Sequence, residues 1–277
     1  MYSRVLDTVR VKLAADAAQP SHSRSRTAAK LLQGGVNRKI VKQTVMTSVY
    51  GVTIIGARDQ ILARLQERAD FVELFRPTGT MGEDDLHAAA LYLAQLTLSS
   101  LFDAFAGARR IQDWLGDCAV RMAVVQQPVS WVTPLGLPVI QPYRQASLYT
   151  VQTAMQAVTI VDHSDLLPVS SIRQKSAFPP NFIHSLDASH MLMTAAECQR
   201  QGLTFASVHD SYWTHAGSMD TLSAALRQEF VHLYRQPILE QVRDAWVQRF
   251  PEIKFKEVPV RGDLDIAEVL RSPYFFN

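Results

Sequence analysis

Val5, Val9 and Leu13 recur at four-residue spacing, the rhythm of a helix burying one face, and predict a helix running to about Ala18. A polar QPSHSRS loop follows, then a predicted helix over Thr27 to Gln33 that Gly34 and Gly35 stop. The next helix opens at Asn37, whose side chain suits an N-cap. Ile61, Leu62, Leu65, Val72 and Leu74 keep helical rhythm through ARDQILARLQERADFVELF. A long helical tract, DDLHAAALYLAQLTLSSLFDAFAGARRIQDWLGDCAVRMA, is interrupted near Gly107, so the first half of the chain is chiefly α.

The pattern changes at PVSWVTPLGLPVIQPY, where Pro128, Pro134, Pro138 and Pro142 exclude helix and Pro134-Leu135-Gly136 marks a turn between two short strands. SLYTVQTAMQAVTIVD is rich in β-branched residues and predicts a projecting β-hairpin. FPPNFIHSLDASHMLMTAAECQRQG returns to helix, entered through Pro180 and Asn181 and stopped at Gly202. LTFASVHDSYWTHA predicts a strand, a tight turn at His209-Asp210 and a second strand. A helix from about Met219, capped by Ser218 and broken at Pro237, precedes IKFKEVPV and the tail.

Composition fits a chain able to bury a substantial core: 277 residues, 47% hydrophobic and 19% charged. Its apolar runs fall well short of the roughly 20 residues a membrane-spanning helix needs, so no membrane span is expected. Cys118 and Cys198 have no CxxC or Cys/His spacing, which argues against a zinc site or a disulfide framework and for a reducing compartment. The net charge of +2 is uneven: residues 1 to 69 carry 12 Lys/Arg against 4 Asp/Glu, leaving the remainder at −6. That positive field suits phosphate backbones or nucleotides.

Within the basic part, RKIVKQTVMTSVYG places Arg38, Lys42, Met46 and Tyr50 at intervals of four. Such steps rotate only about 40° around a helix, so the four residues form a slowly winding stripe some 18 Å long, the length of a nucleoside triphosphate. Two cations at one end suit the triphosphate, Met46 suits packing against a base or sugar, and Tyr50 beside Gly51 suits stacking where backbone comes close. The second constellation is the His209-Asp210-Ser211 turn, where a carboxylate lifted out of two strands is well placed for a divalent cation. His184, Asp187 and His190 also share a helix, but steps of three residues turn the outer two some 120° apart, against a zinc site. Trp131, Trp213 and Trp246 are expected in the core.

These motifs, with NFIHSLDASH and SPYFFN, occur in the order found in a known family. The chain resembles the single-subunit, phage-type DNA-dependent RNA polymerases, most closely their mitochondrial branch, from MYSRV through NRKIVKQTVMTSVYGVT, WVTPLGLPVIQPY, FPPNFIHSLDASH and VHDSYWTHA to SPYFFN. The resemblance implies an α+β, predominantly helical fold. Residues 1–180 would form the fingers of a right-hand polymerase, with a projecting hairpin at about 143–161 that enters the DNA major groove. Residues 181–277 would form the C-terminal part of the palm, with a small antiparallel sheet.

It further implies that Arg38 and Lys42 contact the phosphates of the incoming nucleotide and that Met46 lies in the nucleotide site. Tyr50 would help select ribose, with His184 near the sugar 2′-hydroxyl. Asp210 would be one of two palm aspartates holding two Mg2+ ions, supported by His209, and Phe275-Phe276-Asn277 would form a C-terminal foot near the active site. Implied partners are a DNA template, the RNA product, nucleoside triphosphates and mitochondrial transcription factors, in the mitochondrial matrix.

Related DNA polymerases share Arg-x3-Lys and Tyr-Gly, but usually carry an aromatic where Met46 stands and a carboxylate where Ser211 stands, so both departures favour ribonucleotides. The family's other metal-binding aspartate lies upstream of the fingers and has no counterpart in these 277 residues. The expectation is therefore a catalytic fragment that polymerises poorly or not at all alone; the alternative is a catalytically silent nucleic-acid-binding remnant. The Arg- and Ser-rich opening has the apolar spacing of a transit peptide, but Asp7 and Asp16 oppose that reading, and the likeness already begins at Tyr2.

Overall fold

Val5, Val9 and Leu13 share one face of α1 (Tyr2–Ala18) and are buried, as their spacing predicts. They belong to a computed structural model that describes residues 2–18, 32, 35–48, 51–67, 83–162 and 166–275. The predicted helix over Thr27 to Gln33, together with Tyr50, Val72, Leu74, Phe276 and Asn277, lies outside the described residues, apart from Leu32. The chain divides into two compact units, Met1–Arg109 and Arg110–Asn277.

In the first unit, α2 (Arg38–Ser48), α3 (Ile54–Gln66) and α4 (Glu83–Ala104) pack on one another, and α1 packs on α2 and α4. Ile40, Val41 and Val45 of α2, Ile61 and Leu65 of α3, and Leu93 of α4 fill the common core. Polar ties at the rim set the helix positions. The Arg10 guanidinium donates twice to Val36 O, at 3.3 and 3.0 Å, just before α2. Tyr92 Oη donates to Asp16 Oδ2 at 2.6 Å. Asn37 caps α2 as its sequence predicts, its Oδ1 accepting from Ile40 N at 3.2 Å.

The second unit holds most of α5 (Ala106–Val124), which follows α4 across the interruption predicted near Gly107. Next come the hairpins β1 (Ser130–Val132) with β2 (Pro138–Ile140) and β3 (Ser147–Gln152) with β4 (Ala157–Asp162). The long α6 (Ser171–Arg200), the hairpin β5 (Ala206–Val208) with β6 (Ser211–Trp213), α7 (Met219–Arg235) and α8 (Ile238–Arg249) complete it. The hairpins are separate two-stranded antiparallel ribbons. Every β3–β4 residue but Asp162 is exposed, with Leu148, Tyr149, Val151, Val158, Ile160 and Val161 among them.

The core of this unit is aromatic. Trp131 lies 5.3 Å from Phe178 and 5.9 Å from Phe182, and Trp246 lies 5.7 Å from Phe178, ring centroid to centroid. Each buried indole N–H has a partner: Trp114 reaches Lys256 O, Trp131 reaches Ser185 Oγ and Trp246 reaches Ser130 O. Trp213 departs from expectation, because its position on β6 turns it outward, 51% exposed. Cys118 and Cys198 are buried free thiols, and burial pushes Cys118 up to about 12.

Two local expectations fail for physical reasons. α6 begins at Ser170–Ser171, not at Pro180, and carries Pro179 and Pro180 inside it. Proline costs a helix interior about 3 kcal/mol. Here Phe178 and Phe182, on either side of the pair, are locked in the aromatic core, and packing wins. Ser218 makes no capping bond; it ends a short 3-10 turn, Ala216–Ser218, that leads into α7. Pro237 breaks the helix as expected: α7 ends at Arg235 with Gln236 extended before the proline, and the Pro237 carbonyl then accepts from Gln241 N at 2.9 Å as α8 begins. Among the described residues no single helix is long and apolar enough to cross a membrane.

One amide joins these parts. Gln174 is fully buried; its Oε1 accepts from Val129 N and Gln141 Nε2, and its Nε2 donates to Gln141 O and, at 3.4 Å, to Tyr143 O. Asn181, two turns along α6, donates to Gln141 Oε1 at 2.9 Å. The ends of the β1–β2 hairpin are thereby fixed on α6.

Replacing Gln174 by Ala strands several of these groups without water. Unfolding free energy should fall by about 3 kcal/mol, read as a lower urea midpoint by tryptophan fluorescence, since all 4 tryptophans lie in this unit. A second prediction concerns Asp117, which accepts from Arg121 Nε at 2.6 Å and lies 3.2 Å from Lys256 Nζ, tying α5 to the segment after α8. Burial works against its charge, but Arg121 and Lys256 outweigh it and hold the carboxyl below its ordinary 3.8. A depressed carboxyl stabilises the fold above the unfolded value and stops doing so as pH falls through the folded one. Asp117→Asn should therefore cost about 1 kcal/mol at pH 7 and nothing once both states are protonated, measured as the midpoint difference against pH.

Candidate nucleotide and metal site

Amphipathic sequence produces the candidate cluster of the first unit. Because α2 buries Ile40, Val41, Thr44, Val45 and Ser48, its opposite face must carry Arg38, Lys42 and Met46, and all three are exposed. Gln60 of α3 sets the rotation of the helix, its Oε1 accepting from Thr47 Oγ1 at 3.1 Å and Thr44 Oγ1 at 3.4 Å. The Arg38 guanidinium lies 5.3 Å from the Tyr2 ring centroid, a cation–π contact that steadies it. Neighbouring Lys39 points elsewhere and pairs with Glu67 at 3.3 Å. Lys42 makes no ion pair among the described residues.

Gly51 has a structural reason of its own. Its φ is 74°, its N–H donates to Ser48 O, and Val52 N–H donates to Thr47 O, the paired bonds of a glycine helix cap. Gly51 thus turns the chain sharply where α2 finishes.

A separate candidate cluster forms around α6 and the β5–β6 turn, both in the second unit. Val208 pairs with Ser211, leaving His209 and Asp210 as a two-residue loop. His209 adopts φ 53°, a left-handed conformation uncommon for a residue with a side chain. His209 and Asp210 are exposed, while Ser207 and Tyr212, opposite one another in the ladder, are half-buried. The turn's inward face therefore rests on Tyr212, whose ring lies 5.5 Å from Phe205 and 6.5 Å from His190.

His184 is exposed on α6, Asp187 follows one turn later, and His190 is buried. His190 Nε2 lies 2.9 Å from Leu226 O; a carbonyl only accepts, so the ring carries its proton on Nε2. Burial holds His190 below its ordinary pKa, against the opposing pull of that bond, Asp187 and Glu229. Desolvation lifts the Asp187 carboxyl; His184 and His190 pull it down, and Asp210 pushes it further up. Tyr212 is raised by burial and then by Asp187 and Asp210, and Tyr234, pushed up to about 12, by burial and then by Asp187.

The structure thus brings together the two predicted residues of this unit, His184 and Asp210, and sets Asp187 between them electrostatically. Asp187 was legible only as part of the His184-Asp187-His190 row; its companionship with Asp210 depends on where the hairpin docks. His190, Tyr212 and Tyr234 left no separate signal in the sequence. Two neighbouring carboxylates that repel one another fit a divalent cation. Among the described residues, however, no three His, Cys, Asp or Glu side chains gather closely enough to hold a metal by themselves.

The family profile described as DNA-dependent RNA polymerase matches residues 1–256. The chain is 50% identical over 276 residues to the mitochondrial DNA-directed RNA polymerase 1 of Nicotiana sylvestris, covering 99% of this chain and 26% of that protein. It is 49% identical over 277 residues to DNA-directed RNA polymerase 2A of Nicotiana tabacum, covering 79% of that protein. With the chloroplastic DNA-directed RNA polymerase 3 of Nicotiana sylvestris it shares 49% identity over 250 residues, 24% of that protein's length. The chain spans about a quarter of the length of the first of these relatives. On the profile match and on identity sustained from end to end, it belongs to the DNA-dependent RNA polymerase family.

Proposed function

We propose that this chain is the C-terminal catalytic part of a DNA-directed RNA polymerase of mitochondrial transcription, extending RNA on a DNA template from nucleoside triphosphates. The observation that carries the reading is the exposed Arg38, Lys42 and Met46 face of α2, held open in a chain of this family by burial of the opposite face. Mitochondrial placement is supported by the printed names of the first relatives; the matrix as compartment and transcription factors as partners belong to the proposal.

Arg38 and Lys42 bind the triphosphate, the arginine as a fork and the lysine as a point charge. Met46 packs against base or sugar, Tyr50 selects ribose, and His184 offers a ring nitrogen to the 2′-hydroxyl. Asp210 is the carboxylate ligand for Mg2+, with Asp187 adding negative field behind it. When bound, two Mg2+ ions activate the RNA 3′-hydroxyl and stabilise the pyrophosphate leaving group. Around them, the chain's own work is to hold the triphosphate and to present Asp210 on a turn that its neighbours fix. The chain supplies one of the family's two palm aspartates, so alone it binds nucleotide without efficient polymerisation.

Titration calorimetry of a ribonucleoside triphosphate tests this. Lys42→Ala should weaken Mg2+-dependent binding about 10- to 100-fold, the worth of a charge-assisted bond, and Asp210→Asn should remove the Mg2+ dependence. Primer extension on a DNA template should yield little product; robust synthesis by residues 1–277 would refute the incompleteness. Steeply salt-dependent DNA binding indifferent to both substitutions would identify a silent remnant instead.

A further inference from the structure

Residues 261–275 include no fully buried side chain, so deep apolar burial does not anchor this segment. Arg261 ties its start to Gln236 O at 2.8 Å and to Glu240 at 3.3 Å, and one arginine of α7 fastens its end. Arg227 of α7 donates from Nη1 to Val269 O at 2.7 Å and to Ser272 O at 2.6 Å, and its guanidinium lies 5.5 Å from the Phe275 ring centroid. The 3-10 turn Ile266–Leu270 packs along α7 beside it.

Phe275 is in turn the first member of a row of rings. It meets Phe230 edge-on at 4.8 Å; Phe230 meets His190 at 5.5 Å and an 84° interplanar angle; His190 meets Tyr212 at 6.5 Å. Tyr212 lies two residues beyond Asp210. The row therefore runs from the carboxy-terminal segment through α7 and α6 to the strand beneath the candidate metal ligand. That strand needs outside support: β5 and β6 have 3 residues each, and two-stranded ribbons of that size do not hold themselves in water.

We propose that Arg227 is a positioning residue: by fixing residues 269–275 on α7 it seats Phe275 against Phe230, and through His190 and Tyr212 it holds the β5–β6 turn that presents Asp210. The metal part rests on the reading of Asp210 as a ligand; the mechanical part does not. Coupling of this kind between packed elements changes a distant property by about five- to a hundredfold.

The test uses the chain of residues 1–277 with two independent readouts, amide hydrogen exchange over residues 207–213 without metal, and Mn2+ affinity by paramagnetic resonance. Arg227→Ala should speed exchange at 207–213 about tenfold and weaken Mn2+ binding about tenfold while the urea midpoint stays near the parent's. Arg227→Lys, which keeps a donor but not the fork, should recover part of both. Phe275→Ala, which leaves both carbonyl bonds intact, should loosen 207–213 as well and carries the test if the arginine variant does not fold. Faster exchange confined to 269–275, with 207–213 and Mn2+ affinity unchanged, overturns the proposal. If the parent binds no Mn2+, or binds it equally after Asp210→Asn, the ligand reading falls while the exchange result still decides whether Arg227 holds the turn.

Discussion

The second unit depends on a buried neutral amide. Gln174 has four hydrogen-bonding partners on three sides, and no other side chain of its length supplies two donors and an acceptor without charge. A carboxylate there would face other acceptors, and an aliphatic side chain would leave backbone groups dry. Once Gln174 and Gln141 are joined, the β1–β2 hairpin and the start of α6 form one body. The aromatic core around Trp131, Phe178 and Trp246 then closes with its indole donors satisfied. The direction of α6 follows, and with it the positions of His184, Asp187 and His190 further along the same helix.

The helices of the first unit were legible because each buries one face and exposes the other. Periodicity located α1, α3 and α4, while the Asn37 cap and the four-residue spacing located α2 and put Arg38, Lys42 and Met46 in one stripe. Reading failed where tertiary packing overrode local chemistry. Pro179 and Pro180 looked like a helix start and sit mid-helix; Ser218 looked like an N-cap and makes no capping bond. Trp213 looked like core by residue type, and strand alternation turned it outward.

The candidate site divides in the same way. Asp210 stood out because a carboxylate lifted out of two short strands is well placed for a divalent cation, and the structure does place it at a two-residue turn. Asp187 did not stand out, because its meaning comes from a neighbour 23 positions away that reaches it only through hairpin docking. His190 carries no external charge function in this arrangement. Its proton on Nε2 is committed to Leu226 O, and its ring fills the space between α6, α7 and β6.

The exposed β3–β4 ribbon has a consequence of a different kind. Between Ser147 and Asp162 there is no lysine and no arginine, while most of the large side chains are aliphatic. A ribbon of that composition displaces no condensed counterions from a double helix it enters. Its share of any affinity would come from groove-floor methyls and base edges, and would stay flat as ionic strength rises.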